Sequence, residues 1–149
     1  MSRGALNVDR LRRVLPGRSI TWTVHAFGTV GSTNDVAAKL ARSGAPEGTL
    51  VVSELQTTGR GRRGSRWDSP QGGLWMSFVL RPELEPSRRP GVSLVSATAA
   101  ARALHSLSGL PVRLKWPNDV LVGGRKIAGV MVESAGDALV VGIGVNVNI

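Results

Sequence analysis

The segment from Gly59 to Trp67, which reads GRGRRGSRW, places four arginines and three glycines within nine residues. Four guanidinium groups this close together cannot all be buried, and glycine weakens both helices and strands. The segment must therefore be a surface loop, and it separates two apolar, β-rich stretches, Thr49 to Leu55 and Leu74 to Leu80. Backbone N–H groups and arginine side chains at this density are typical of a mobile loop that closes over a phosphate-bearing ligand.

The glycines at positions 59, 61 and 64 also match the dinucleotide-binding pattern G-x-G-x-x-G. That pattern requires a helix packed directly after it, and the sequence from Ser65 to Pro70 has no helical periodicity. We therefore interpret the segment as an anion-binding loop and not as a dinucleotide fingerprint. A solvated basic loop, or a loop that contacts nucleic acid, is the alternative.

The charge of the chain raises the question of nucleic acid, because 19 Lys and Arg outnumber 10 Asp and Glu and give a net charge of +9. Arginine supplies all of these basic residues except Lys39, Lys115 and Lys126, and the chain has no Tyr and only two Phe. Aromatic side chains that stack on bases are the usual readers of single-stranded nucleic acid. We therefore favour a small anionic ligand over nucleic acid.

The composition also excludes several kinds of functional site. The chain has no cysteine, which excludes disulfides, thiolate metal sites and a cysteine nucleophile. His25 and His105 are isolated and lack the spacing of metal ligands, so we interpret them as structural. The sequence contains neither a signal-peptide pattern nor an apolar run of membrane-spanning length, so we expect a cytoplasmic protein without a membrane partner.

The hydrophobic pattern predicts an α+β fold in one domain that spans residues 1–149. Predicted helices cover residues 6–15, ending at Pro16-Gly17, 31–43 and 91–107, and predicted strands cover residues 20–27, 49–55, 74–80, 112–116, 127–133 and 138–147. Because strands outnumber helices late in the chain, we expect a mixed or antiparallel sheet. The third helix is apolar on nearly every face, which predicts a helix buried against the sheet. Residues 134–137 predict a hairpin turn.

The segment Lys115 to Asp119, KWPND, places a lysine at the end of a predicted strand, just before a proline that ends strand pairing. In a chain that uses arginine almost everywhere, a lysine here indicates a compact charge that lies beside a carboxylate and a phosphate. A turn with a solvated lysine fits the spacing equally well. Asn118 and Asp119 are then simple turn formers.

Polar and glycine positions near other predicted element ends are further candidates. Ser32 to Asn34 can cap the second helix, or can hold a ligand carbonyl or urea group at the helix N-terminus. Gln56, at the end of its strand, is a second residue that can bind a ligand through both amide atoms. Gly142 and Gly144 lie inside a predicted strand, which indicates either close approach of a ligand or a bulge.

The four tryptophans are assigned by position. Trp22, Trp75 and Trp116 are predicted to belong to the core or to a pocket wall, since large aromatic side chains usually bury most of their surface. Trp67, at the end of the basic loop, can cover an apolar or aromatic ligand when the loop closes. The order of residues suggests no Ser-His-Asp hydrolase.

Five motifs in order resemble the catalytic domain of biotin protein ligases over residues 31–148: STN at 32–34, Q-x-x-G-R-G-R-R-G-x-x-W at 56–67, KWPND at 115–119, KIAG at 126–129 and GIGVN at 142–146. The resemblance implies an α+β fold similar to class II aminoacyl-tRNA synthetase catalytic domains, with a mixed, largely antiparallel sheet. It also implies a two-step reaction. Biotin and MgATP give biotinyl-5'-AMP and pyrophosphate, and the biotinyl group then passes to a lysine of a biotin carboxyl carrier domain.

The resemblance also implies site residues. For biotin they are Ser32, Thr33, Asn34, Gln56, Gly59, Arg60, Gly61, Arg62, Lys115, Gly142 and Gly144. For ATP or the adenylate they are Arg62, Arg63, Trp67, Lys115, Asn118, Lys126 and Asn146. Arg60, Arg62 and Lys115 are the catalytic residues, because fixed positive charge is needed where the biotin carboxylate meets the α-phosphate. Loop closure keeps water from the mixed anhydride, and no metal ligand is assigned for the Mg²⁺ that accompanies ATP.

The sequence departs from the family in three places. Ser65 stands where the family has a third basic residue in the loop, which is expected to weaken anion capture. The N-terminal part is too short for the helix-turn-helix of some relatives, so no DNA partner is expected. The chain ends at Ile149, before the later helices and the small C-terminal β-domain of the family, so we expect an incomplete catalytic domain.

Alternative functions are a biotin-binding fragment of weak activity, a lipoate or octanoate ligase-transferase, and, least favoured, a basic nucleic-acid-binding domain. The intact arginine-rich loop favours biotin over lipoate. The resemblance leaves a homodimer open.

The composition of the loop predicts its response to ligand. Residues 57–68 have little to pack against, so we expect rapid tryptic cleavage after their arginines without ligand and protection with biotin and ATP. Limited proteolysis with mass spectrometry measures this directly. Equal cleavage rates with and without both ligands would contradict a closing loop.

Overall fold

A computed structural model describes residues 6–15 and 19–149. The helices are α1 (Val8–Val14), α2 (Thr33–Arg42) and α3 (Gly91–Ser108), with single 3-10 turns at Arg62–Gly64 and Pro86–Arg88. The strands are β1 (Thr23–Val30), β2 (Thr49–Gln56), β3 (Leu74–Leu80), β4 (Arg113–Lys115), β5 (Asp119–Val122), β6 (Arg125–Ala135) and β7 (Ala138–Val145). Within these described residues, no helix combines the length and the apolar character needed to cross a membrane.

Within the described residues, the seven strands form one sheet in the order β1-β2-β3-β7-β6-β5-β4. The pair β1 and β2 is parallel, whereas the other neighbouring pairs are antiparallel. The predicted α+β fold with a mixed, largely antiparallel sheet is therefore confirmed. Strands β2 and β3 lie inside the sheet, and β7 lies at its centre.

Helices α2 and α3 cover opposite faces of the sheet. Val140 of β7 packs under α2, whereas its neighbour Val141 packs under α3, as expected when successive side chains of a strand point to opposite faces. The α2 cluster consists of Ala37, Ala41, Val51, Val79, Ala135, Ala138 and Val140. The small alanines of α2 bring the helix close to the sheet, which places its N-terminus directly over the central strands.

Helix α3 is far less buried than its sequence predicts. Ala97 is its one fully buried residue, while Val95 and Leu107 remain 69% and 86% exposed. The helix packs on the sheet through one stripe that includes Ala97, Ala101 and Leu104, and its remaining apolar side chains face away from the sheet. The helix therefore packs against the sheet as predicted, but it lies at the surface of the described structure, which the prediction of a buried helix did not allow.

Two local predictions also need correction, and a third is not tested. Strand β5 was missed, because Asp119 was interpreted as a turn former; only Asn118 belongs to the turn, and Asp119 begins the strand. Ser32 occupies the N-cap position of α2, but its side chain makes no capping hydrogen bond. The dipeptide Pro16-Gly17, predicted to end the first helix, lies outside the described residues.

Arg81, just after β3, connects the C-terminal end of α2 to the β6–β7 hairpin. Its guanidinium donates to the carbonyl oxygens of Ala41 and Ala45, at 2.9 Å for each, and forms a 2.7 Å ion pair with Asp137 in the turn. The hydrogen bond and charge of Arg81 hold the pKa of the Asp137 carboxyl below its usual value. The turn itself is Gly136-Asp137, with Gly136 at φ 68°, inside the predicted segment and in the left-handed region that suits glycine.

Arg81→Ala is expected to lower the free energy of unfolding by about 2 kcal/mol, because it leaves helix carbonyls without a charged donor. Arg102→Ala, at an exposed position of α3, should change it by less than about 0.5 kcal/mol. Urea denaturation of both variants and the wild type measures the difference. Equal urea midpoints and equal slopes of the unfolding free energy for the three proteins would show that the contacts of Arg81 do not stabilise the fold.

Candidate active site

A cavity of about 540 Å³ opens at the N-terminal end of α2, over the central strands. The predicted site residues that line it are Ser32, Thr33, Asn34, Gln56, Arg60, Gly61, Arg62, Arg63, Trp67, Lys115, Asn118, Lys126, Gly142 and Gly144. Residues separated by more than a hundred positions in the sequence are thus brought to one place.

Two predicted site residues, Gly59 and Asn146, do not line the cavity. A side chain at Gly59 would meet the carbonyl oxygen of Trp67 and the Ser69 hydroxyl, so this glycine allows the two ends of the basic loop to lie together. Asn146 follows β7 and donates to the carbonyl oxygen of Lys126 at 3.4 Å. Gly59 and Asn146 therefore lie behind the cavity wall, where each contacts the backbone of a residue that lines the cavity.

The basic loop forms a short irregular hairpin with backbone hydrogen bonds of its own. Arg60 and Arg66 form an antiparallel bridge, and the N–H of Gly61 donates to the carbonyl oxygen of Ser65 at 2.7 Å. Arg63 takes a left-handed conformation at φ 57° in the tight turn between them. Ser65 donates its hydroxyl to the carbonyl oxygen of Arg62 at 2.9 Å and lines the cavity.

Arg60 is bound by two carboxylates. Its guanidinium lies 2.7 Å from Asp35 in α2 and 3.3 Å from Glu133 in β6. The hydrogen bond to Asp35, with the nearby charge of both acids, raises the pKa of Arg60 further above its ordinary value. The positive charge of Arg60 is therefore largely compensated within the protein, and its side chain ties the loop to the helix and the sheet.

Arg62 connects the loop to the KWPND segment. Its guanidinium donates to Asn118 Oδ1 at 3.1 Å, and Asn118 Nδ2 donates to the carbonyl oxygen of Val130 at 2.8 Å. The segment forms a turn from Trp116 to Asn118, with a cis peptide bond before Pro117. Asn118 is thus buried and links the loop to β6.

The two lysines of the cavity have different surroundings. Lys126 forms a 2.7 Å ion pair with Asp119 and lies 4.7 Å from the centre of the Trp67 ring. Lys115, at the end of β4, is exposed to the cavity and makes no ion pair within the described residues. Together with Arg62 and Arg63, which also lack carboxylate partners in the described part of the chain, Lys115 leaves positive charge on one side of the cavity.

The glycines of β7 make room for side chains of the protein itself. A Cβ atom on Gly142 would overlap the Asn34 carboxamide, and one on Gly144 would lie 2.8 Å from Trp67 Nε1. The register of β7 with β3 and β6 is unbroken. Neither a bulge nor a ligand is needed to explain these glycines. Trp67 Nε1 is buried next to Gly144 and has no hydrogen-bond partner among the described residues.

The amides of Asn34 and Gln56 are already used inside the protein. Gln56 Oε1 accepts from the Thr33 N–H at 2.7 Å, and its Nε2 donates to Ser69 Oγ at 2.9 Å. Asn34 donates to Glu133 and accepts from Ser77, both at 2.6 Å. These two side chains therefore hold the neighbouring hydroxyl groups in place, and direct contact of Gln56 with a ligand stays a prediction.

Further residues of the cavity were not predicted as ligand-binding. They are Ser65, Met76, Trp116, Pro117, Asp119, Gly129, Val130, Met131 and Ile143. Apolar strand residues cannot be distinguished from core by sequence alone. The pairing of β6 with β7 could have identified two of them. Gly129 and Met131 lie opposite Gly144 and Gly142, which were predicted site residues, and therefore face the same cavity.

Comparisons with known proteins identify the family of the chain. The family model described as "Biotin/lipoate A/B protein ligase family" matches residues 27–149, and the chain belongs to that family. A biotin–[acetyl-CoA-carboxylase] ligase of Paracoccus denitrificans is 43% identical over 122 residues, which cover 77% of this chain and 50% of the relative.

Two solved structures share the fold. The biotin protein ligase of Leishmania major, in complex with biotinyl-5-AMP, superposes with a TM-score of 0.76 at 32% identity and covers 85% of this chain and 58% of its own. The ligase of Aquifex aeolicus, in complex with biotin and ATP, gives a TM-score of 0.76 at 38% identity and covers 85% and 53%. The chain spans 37% to 58% of the length of the curated relatives that it matches.

Gly142→Ala is expected to displace the Asn34 carboxamide and to lower the free energy of unfolding by about 1–3 kcal/mol, as for other overpacked sites. Gly28 in β1 is the matched control, because a Cβ there meets nothing within 4 Å. Gly28→Ala should be neutral or stabilising by about 0.5 kcal/mol. Chemical denaturation of both variants tests this, and equal effects would disprove the fit between Gly142 and Asn34.

Proposed function

We propose that this chain binds biotin and ATP in the cavity, forms biotinyl-5'-AMP and pyrophosphate, and transfers the biotinyl group to a lysine of a carrier domain. The observation that carries the proposal is the arrangement of the cavity. Hydroxyl groups at the N-terminus of α2 form one end, and uncompensated cations of the basic loop and β4 form the other side. A ligand with a polar neutral head and an anionic tail fits this distribution.

The neutral head of biotin is proposed to lie at Ser32 to Asn34. Ser32 and Thr33 line the cavity at the N-terminus of α2, where the helix dipole favours a ligand oxygen. Asn34 and Gln56 hold these residues in place through their amides. Gly142 and Gly144 line the cavity beside them, and the Asn34 carboxamide and the Trp67 ring occupy the space that side chains at these two glycines would take.

The first reaction step brings two anions together. A carboxylate oxygen of biotin attacks the α-phosphorus of ATP, and the bond from that phosphorus to the pyrophosphate oxygen breaks. Two unit charges 4 Å apart repel by about 4 kcal/mol at an effective dielectric constant of 20. Arg62, Arg63 and Lys115 are the cations of the cavity without a carboxylate partner among the described residues, so they are proposed to offset this repulsion.

Arg60 has a different proposed role. Because Asp35 and Glu133 already compensate its charge, it holds the loop in place and its backbone lines the ligand. Trp67 lines the cavity at the end of the loop, where its ring can cover the adenylate. Loop closure would exclude water from the mixed anhydride, which hydrolysis would otherwise waste.

In the second step, the amine of the acceptor lysine attacks the acyl carbon and AMP leaves. The proposed acceptor is the biotin carboxyl carrier domain of a biotin-dependent carboxylase, in line with the name of the Paracoccus relative. Mg²⁺ is proposed to enter with ATP on its phosphate oxygens. Within the described residues, no three His, Asp or Glu side chains converge as ligands for a resident metal.

Lys115→Arg is expected to lower biotin-dependent exchange of labelled pyrophosphate into ATP by about tenfold or more, which is 1.4 kcal/mol of lost transition-state stabilisation. A planar guanidinium cannot take the place of a compact ammonium between a carboxylate and a phosphate. Lys39→Arg is the matched control, because Lys39 lies exposed on α2 and does not line the cavity. Its exchange rate should stay within about twofold of wild type.

The same assay distinguishes the alternatives. Exchange that depends on octanoate and not on biotin would assign the chain to lipoate or octanoate chemistry. Biotin binding by calorimetry without any exchange would leave a binding module. If Lys115→Arg folds normally and exchanges at the wild-type rate, Lys115 is only a turn residue and its proposed role is wrong.

A further inference from the structure

The two ends of the basic loop are connected by a continuous chain of polar side chains that passes beneath the cavity. From the start of the loop it runs through Arg60, Glu133, Asn34, Ser77, Thr33, Gln56 and Ser69, and it ends on the carbonyl oxygen of Trp67. Its members come from the loop, α2 and three strands. The distances between consecutive partners lie between 2.6 and 3.3 Å.

The direction of the hydrogen bonds in this chain is set by Glu133. A carboxylate only accepts, so Asn34 must present its NH₂ group to Glu133 and its oxygen to Ser77. Ser77 is buried and has one hydroxyl proton, which is therefore given to Asn34.

At Thr33, the neighbours Ser77 and Gln56 Oε1 are then both acceptors. The Thr33 hydroxyl donates into the protein in either case, and it offers only lone pairs to the cavity. The charge of Glu133 thus determines what Thr33 presents to a ligand, although neither Glu133 nor Ser77 lines the cavity.

We propose that Glu133 is a positioning residue that acts on biotin through Asn34 and Ser77 and on the basic loop through Arg60. The inference rests on the proposed function for its ligand. It assigns one carboxylate to two tasks: it fixes the hydrogen-bonding polarity at the α2 end of the cavity, and it holds the first arginine of the loop.

The first pair of variants is Glu133→Gln with Glu54→Gln as the matched control. Glu54 is a strand glutamate that accepts from the N–H of Leu6 at 2.8 Å and belongs to no part of the chain of hydrogen bonds. Glutamine at position 133 keeps the size but lets Asn34 reverse its amide. We expect the Kd and KM for biotin to rise about tenfold, the loss of one charged hydrogen bond. The KM for ATP should rise less than the KM for biotin, since Glu133 reaches the ATP side only through the loop, and the melting temperature should stay near that of the control.

The second pair is Ser77→Ala with Ser53→Ala, which keeps the test independent of how well Glu133→Gln folds. Both serines are fully buried in neighbouring strands, but the Ser53 hydroxyl donates only to the carbonyl oxygen of Leu55. Ser77→Ala should weaken biotin binding by about five- to tenfold, because Asn34 Oδ1 loses its donor. Ser53→Ala should bind biotin as the wild type does.

The loop provides a readout without ligand. Tryptic cleavage within residues 57–68 should be several-fold faster in Glu133→Gln than in Glu54→Gln, and unchanged in Ser77→Ala relative to Ser53→Ala. A general loss of stability would accelerate cleavage at other arginines as well, and it would raise the KM for both substrates to the same extent. This pattern would overturn the proposal in favour of a structural role.

The outcomes separate the two proposals. If wild type binds biotin, and Glu133→Gln and Ser77→Ala bind it equally well, Glu133 has no positioning role while the proposed function stands. If wild type binds no biotin, the proposed function and the assignment to biotin fail. The ligand-free cleavage then decides whether Glu133 holds the loop, and equal rates in Glu133→Gln and Glu54→Gln would overturn that role too.

Discussion

The site depends on Gly142, a residue without a side chain in the central strand of the sheet. Asn34 can lie flat on β7 only because Gly142 has no Cβ, and from this place its carboxamide reaches Ser77 on one side and Glu133 on the other. The alanines of α2 bring the helix close enough for this contact. The small residues of α2 and β7 therefore explain two features: the close packing of the helix on the sheet, and the polar side chains at that end of the cavity.

The charges of the cavity fall into two groups. Arg60 and Lys126 have carboxylate partners and serve to fix the loop and β6. Arg62 is held by the neutral amide of Asn118, and Lys115 has no acidic partner within the described ranges. An anionic ligand can take over a guanidinium from a neutral amide at much lower cost than from a carboxylate, since charged hydrogen bonds are about twice as strong as neutral ones. The anion is therefore expected on the side of Arg62 and Lys115.

The sequence was sufficient to predict the class of fold, most strands and the residues that meet in the cavity. Turn chemistry and hydrophobic alternation identify elements, and five ordered motifs identify the family. Burial of α3 was predicted wrongly, because an all-round apolar helix does not reveal which layer covers it. The reason for Gly142 was also missed. A glycine in a strand signals a close approach, but not which atom approaches.

The roles of Arg60, Gln56 and Glu133 required coordinates for a similar reason. An arginine in a basic loop looks available for a ligand until its acidic partners from α2 and β6 are located 25 and 73 positions away in the sequence. Glu133 occupies an ordinary strand position, and no local pattern distinguishes it from a solvated glutamate. Only the fold places its carboxylate between the loop and the helix.

The contact between Gly142 and Asn34 also constrains how this sequence can diverge. The volume that a Cβ at position 142 would need is filled by the carboxamide at position 34. In a relative with a larger residue at position 142, we expect a shorter residue at position 34. That change also removes the hydrogen bond from Asn34 of α2 to Glu133 of β6. Positions 34 and 142 are thus expected to be inherited as a pair, although they lie 108 positions apart in the chain.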